Sequence, residues 1–313
     1  MSVLTRLPWV FAGLFVFVLA LETTRADASD AADIINGLSA SGFANSLGLG
    51  WLSTYVVLSG SAVAAIAVSL FSEGALGEQE AFAMVAGSRL GASFIALAVG
   101  VAYYLAGRRA PDGLGIGLVA MLTTFATQIP ALFVGSLILR RGWLDDLRVA
   151  APEEMLDLTD KVYGPTVDMF DAALSDIGLF LAGVVLILGS FWLFDRALPS
   201  IQGEAEGIQS LLRVLRRRSL MFATGFLVTL TTLSVSISIT VLVPLALKGY
   251  LHREHVIPYI LGANIATFID TIGASFLVGG DEAMTVVLAQ VVSPLQRCRW
   301  SRSRLLTGRF QQR

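Results

Sequence analysis

Cysteine and histidine are nearly missing from this chain. Cys298 is its one cysteine, and His252 and His255 are its two histidines, in 313 residues. A disulfide needs a second thiol, and a thiolate or His-rich metal site needs more than these three side chains supply. His252 and His255 flank Glu254 in a short polar connection, which reads as a solvated turn or as a proton relay. Charge is also scarce, at 15% of residues, where soluble domains carry about 25%. A net charge of −2 argues against a nucleic-acid partner. No spaced nucleophile, base and orienter is present, so the expectation is no enzyme, and no redox or organic cofactor.

Apolar sequence fills the space. Hydrophobic residues make up 55% of the chain, and charges collect in gaps between long apolar runs. This is the composition of an integral membrane protein built of helices. Eight runs stand out: Pro8–Leu21, Leu47–Phe71, Ala81–Leu105, Leu114–Leu139, Ile177–Phe194, Leu220–Leu247, Val256–Val278 and Met284–Leu295. The first and last fall short of the roughly 20 residues that a spanning helix needs. The long middle runs carry Ser, Gly and Pro near their centres, which suits broken or re-entrant helices.

Adding 175 to the numbering lays one stretch of the first half on one of the second without a gap, while Leu114–Leu139 finds no match toward the C-terminus. Leu58-Ser59-Gly60-Ser61 falls on Leu233-Ser234-Val235-Ser236, and Gly87-Ser88-Arg89-Leu90-Gly91 on Gly262-Ala263-Asn264-Ile265-Ala266. About eight of roughly thirty-six positions are identical, and small and polar residues recur where a lipid-facing helix would exclude them. The division expected is membrane repeat one over residues 1–139 and an acidic extramembrane connection over 140–176. Repeat two follows over 177–295, then a basic tail over 296–313. The tail reads either as a cytosolic extension or as unrelated sequence replacing the last helix of repeat two. An arginine-rich stretch cannot cross hydrocarbon, where each central Arg costs about 2.5–3.5 kcal/mol. Pro8–Leu21, followed by Ala26-Asp27-Ala28, reads as a signal peptide or as a retained helix; the repeat gives it a partner in Gly183–Arg196 and favours retention. Arg108, Arg109, Arg196, Arg213, Arg216, Arg217 and Arg218 mark two cytoplasmic connections, and the acidic gap lies outside. One re-entrant segment per unit makes the crossings odd in number and the repeats inverted.

Three groups of residues carry chemistry. Ser59, Ser61, Ser234, Ser236 and Ser238 either bond back to their own helices or offer hydroxyls and freed carbonyls to a ligand. Arg89 and Asn264 share a repeat position. Arg89 presents planar donors suited to phosphate or carboxylate, and Asp270 is the acid available to pair with it. Ser238, Thr267 and Asp270 form a candidate cation site of hard oxygen ligands, suited to sodium as a coupling ion. Thr123, Thr124, Thr127 and Gln128 lie before Pro130, which interrupts the helix; they read as packing residues or as a cavity face.

At Gly262-Ala263-Asn264-Ile265-Ala266-Thr267 and at the two serine stretches the chain resembles the type II sodium/phosphate cotransporter family. That family has two inverted repeats, each with a Gln-Ser-Ser-Ser stretch on a re-entrant hairpin and a Gly-Ala-Asn-Ile-Gly-Thr-Thr stretch after it. The likeness covers Leu47 to Leu105 and Leu220 to Ser275. Leu58 and Leu233 stand where the family has glutamines, and Arg89 where its first repeat has asparagine. The resemblance implies a multi-pass transporter of the cell membrane. Its substrate would be an inorganic anion, phosphate first, moved by alternating access around Ser59, Ser61, Arg89, Ser234, Ser236 and Asn264. The lost glutamines and the unmatched final segment leave a second expectation, a membrane scaffold or regulator that keeps the fold without transporting.

Overall fold

A computed structural model describes residues 7–25, 42–105, 111–144, 153–197, 218–232, 234–240, 242–243, 253–278 and 283–291. The tail over 296–313, the arginine connections apart from Arg196 and Arg218, and His252 lie outside the described residues. Regular structure among the described residues is helical throughout. The helices are α1 (Leu7–Arg25), α2 (Phe43–Val57), α3 (Gly60–Ser72), α4 (Glu78–Leu105), α5 (Pro111–Arg140), α6 (Glu153–Asp171), α7 (Asp176–Ala197), α8 (Arg218–Thr232), α9 (Val235–Thr240), α10 (Arg253–Ala266), α11 (Phe268–Val278) and α12 (283–291).

Stretches Glu78–Ala102, Leu114–Arg140 and Val256–Phe276 are long and apolar enough to cross a membrane. Helix α5 faces its surroundings the opposite way from a water-soluble helix. Leu118, Leu122, Ile129, Phe133 and Leu137 point outward, Phe133 at 74% exposure, while Thr124 and Gln128 are buried. A bilayer rewards that arrangement and water penalises it.

The long apolar runs are broken at their serines. Helix α2 ends at Leu58, whose φ of 56° is left-handed and whose N–H donates to the Thr54 carbonyl. Ser59 then caps α3, its hydroxyl accepting from the Ala62 N–H at 3.3 Å. In the second half α8 stops at Thr232 and α9 starts at Val235. These bounds are those of the first half moved by 175, and α10 likewise starts where α4 does. Pro130 behaves otherwise than expected. It interrupts nothing, and α5 runs unbroken from Pro111 to Arg140. A proline removes one N–H from the ladder, and the remaining bonds of a long apolar helix carry the turn.

Paired glycines set the crossing of α2 with α4, and the same crossing recurs between α8 and α10. A Cβ on Gly87 would collide with the Leu47 carbonyl oxygen, and one on Gly50 with that of Met84. A Cβ on Gly262 would collide with the Phe222 carbonyl oxygen, and one on Gly225 with that of Tyr259. All four contacts keep the offset of 175, so the backbones touch at equivalent points in both halves. The halves also exchange partners. Broken helix α3 packs on α11 of the second half, and α9 packs on α4 of the first. Helix α1 packs on α7, its partner under the offset. Within the acidic connection, α6 lies against α1, with Tyr163 on Phe15 at a centroid distance of 4.9 Å.

Because backbone carbonyls cannot move aside, Gly87→Ala and Gly262→Ala are each expected to cost about 1–3 kcal/mol. Gly48→Ala and Gly189→Ala, with open space around the new methyl, are expected to stay within about 0.5 kcal/mol. Thermal unfolding in detergent micelles checks both pairs.

Candidate functional site

The breaks in α2–α3 and α8–α9 aim two serine stretches at one point between the halves. A pocket there is lined by Ser61 and Ser236, Arg89 and Asn264, Ala92 and Thr267, Gly60 and Val235, with Ser234 and Gln128 completing the wall. The first four pairs are partners under the offset. The pocket encloses about 10 Å³, room for about one water. A larger recess of about 680 Å³ opens among α2, α4 and α5. Phe43, Leu47, Trp51, Phe125 and Phe133 line it, with Ser136 and Arg140 as its polar rim, so the convergent chemistry lies in the smaller one.

Arg89 dominates the pocket. Its side chain is 4% exposed and reaches from α4 across to the break between α10 and α11. Nη2 donates to the Thr267 carbonyl at 3.2 Å and to the Thr271 hydroxyl, and lies 3.6 Å from Asp270 Oδ1. The guanidinium carbon sits 5.5 Å from the centre of the Phe268 ring. Asp270 in turn accepts from Thr271 at 3.0 Å and from the Ser61 hydroxyl. Charge, hydroxyl and ring thus join α3 and α4 of the first half to α11 of the second. A second bridge runs from Asn264 Nδ2 to the Thr124 hydroxyl at 2.9 Å, tying α10 to α5.

Several buried atoms at this point have no partner among the described residues. On the pocket wall these are Arg89 Nε and Nη1, Gln128 Oε1 and Thr267 Oγ1, and beside it Asp270 Oδ2. A buried polar atom left dry costs about 1–3 kcal/mol. Folded proteins carry few of these, and several around one cavity call for a polar partner there, a water included.

Five of the six residues read as anion contacts meet here: Ser61, Arg89, Ser234, Ser236 and Asn264. Ser59 instead caps α3 from the edge of the group. The candidate cation set does not assemble. Ser238 lies 2.9 Å from the Tyr259 hydroxyl in the packing of α9 on α10, and Asp270 faces Arg89, while Thr267 lines the pocket. Thr127 bonds back to the Thr123 and Thr124 carbonyls, as a packing threonine does. Gln128 belongs to the cavity. Thr271 and Phe268 escaped the sequence reading, and their signal was proximity to Asp270 on one helical turn.

No family model, curated protein or solved structure matches the chain.

Removing one member of a buried ion pair strands the other and costs about 3–5 kcal/mol, whereas replacing both by apolar groups is often neutral. Arg89→Met and Asp270→Leu are therefore each expected to lower thermal stability sharply. The double variant is expected to recover most of the loss in the same melting assay.

Proposed function

We propose that this protein is a secondary transporter of an inorganic anion, with phosphate first, and a divergent relative of the type II sodium/phosphate cotransporters. It would work in the cell membrane by alternating access between two inverted repeats. The observation that carries the reading is the pocket. A buried guanidinium with two unpartnered nitrogens stands between two matched, interrupted serine helices, inside a body whose outer face is apolar. Broken helices from two repeats meeting at a polar midpoint are the arrangement that transporters use for substrate. The reciprocal packing of α3 on α11 and α9 on α4 supports a two-fold relation between the halves. A tetrahedral oxyanion exceeds the present cavity, so binding requires the serine tips to part, which is the motion alternating access supplies.

Arg89 brings a fixed positive charge to this site, shared with the carboxylate of Asp270. In a sodium-coupled carrier the cation balances the anion in low dielectric. Here the guanidinium of Arg89 offers that balance to the extent that Asp270 shares it, which favours uniport or exchange. The lining residues bring their own hydroxyls, so no resident cofactor enters the scheme.

A second reading, a non-transporting scaffold or regulator with this fold, draws on Leu58 and Leu233 where the resembling family has glutamines. Uptake of radiolabelled phosphate into proteoliposomes separates the two. Wild-type uptake is expected with or without a sodium gradient, changing less than about twofold between them. Loss of a charge-assisted hydrogen bond is worth about 1.5–3 kcal/mol, so Arg89→Ala is expected to lower uptake at least about tenfold. Wild-type protein that accumulates no anion under either condition supports the scaffold. Full uptake by the Arg89→Ala variant removes this site from the mechanism.

A further inference from the structure

The recess of about 680 Å³ among α2, α4 and α5 plays no part in the anion site, yet it has a definite build. On α5, Phe125, Ile129, Leu132, Phe133 and Leu137 recur at helical spacing as one apolar wall, and Arg140 ends the same stripe. Helix α2 contributes Phe43, Leu47 and Trp51, and α4 contributes Leu90. Ile129, Phe133 and Leu137 are exposed, so the recess is open along the outer face of α5.

On α5 the polar lining groups come at one end. Ser136 gives its hydroxyl to Gln79 Oε1 at 2.7 Å. Glu80, an acid beside Gln79 on α4, accepts from the Gly42 and Gly77 N–H groups at 2.6 and 2.9 Å. Arg140 is exposed, and no carboxylate among the described residues pairs with it. It closes the apolar stretch Leu114–Arg140. Trp143 follows, exposed, with the guanidinium carbon of Arg141 5.5 Å from its ring centre. Tryptophan and arginine at the end of an apolar span belong at the headgroup level of a bilayer.

A long apolar groove with an unpaired cation at headgroup depth fits an amphiphile with a negative head. A small free anion would leave the apolar walls uncovered. A zwitterionic lipid would carry its own cation to the place where Arg140 already stands. From Phe125 to Arg140 the helix rises about 22 Å, at about 1.5 Å per residue. That exceeds half of a hydrocarbon core about 30 Å thick, so the recess is deep enough for a whole acyl chain. We propose that this recess is a binding site for one anionic phospholipid, its chain along the stripe of α5 and its phosphate on Arg140. The site needs the bilayer but not the transport activity, so either reading can fail alone.

The test uses purified full-length protein in detergent, titrated with dioleoyl phosphatidylglycerol, dioleoyl phosphatidylcholine or glycerol 3-phosphate, with bound molecules counted by native mass spectrometry. One phosphatidylglycerol is expected to bind at least about fivefold more tightly than phosphatidylcholine, the effect of one basic residue at an anionic surface. Glycerol 3-phosphate, a head without chains, is expected neither to bind nor to compete. Arg140→Gln is expected to bring the two lipids within about twofold of each other. Ala44→Phe, which places a ring inside the recess, is expected to weaken both. Equal binding of the two lipids by the wild type overturns the proposal, and so does an unchanged preference in Arg140→Gln. Displacement of the lipid by glycerol 3-phosphate also overturns it, because the head alone would then suffice. A Phe133→Cys, Cys298→Ser protein that forms a disulfide-linked dimer without lipid puts a second copy in the recess and overturns it as well. The wild-type comparison decides the matter even where a variant fails to fold.

Discussion

Arg89 is a guanidinium held where almost no water reaches, and its surroundings are organised around bearing that charge. Its carboxylate partner, its hydroxyl and carbonyl acceptors and its aromatic neighbour all come from Thr267 to Thr271 of the other half. A charge in low dielectric is tolerable only with such partners within reach. The ion pair therefore does two things together. It fastens the halves at one point, and it leaves two guanidinium nitrogens uncommitted for something else.

The breaks in the helices follow from the same pressure. Inside a bilayer an interrupted helix must have its freed backbone groups met by protein or by an enclosed wet cavity. Leu58 ends α2 through its own N–H, and Ser59 opens α3 by capping it, so the first break is met locally. Close glycine crossings then bring α2 against α4 and α8 against α10 tightly enough for the serine stretches to reach the centre. Small residues, broken helices and the buried cation are parts of one arrangement, and each loses its purpose without the others.

Much of this was legible in the chain because its causes are local. Serine and glycine near the centre of a long apolar run signal a broken helix. An arginine inside apolar sequence announces a partner, and Asp270 was the acid in reach. The offset of 175 carried helix ends across the two halves because equivalent breaks use equivalent residues. What escaped depends on tertiary facing. Pro130 reads as an interruption, yet α5 runs on through it. Ser238 reads as a ligand, but Tyr259 of α10 meets it first. Gln128 could not be assigned to cavity or packing until the rotation of α5 against α10 was known, since periodicity alone leaves that angle free.

The central claim is that two interrupted, hydroxyl-bearing helices enclose a single aqueous pocket between the halves. Thiol labelling tests it most directly, with Ser61→Cys and Ser236→Cys, matched positions on the pocket wall, introduced one at a time into a Cys298→Ser background. The account predicts that both positions react with a membrane-impermeant reagent from water, and that phosphate slows the reaction at each. Two thiols that stay silent from both faces of the membrane, with or without phosphate, would contradict it.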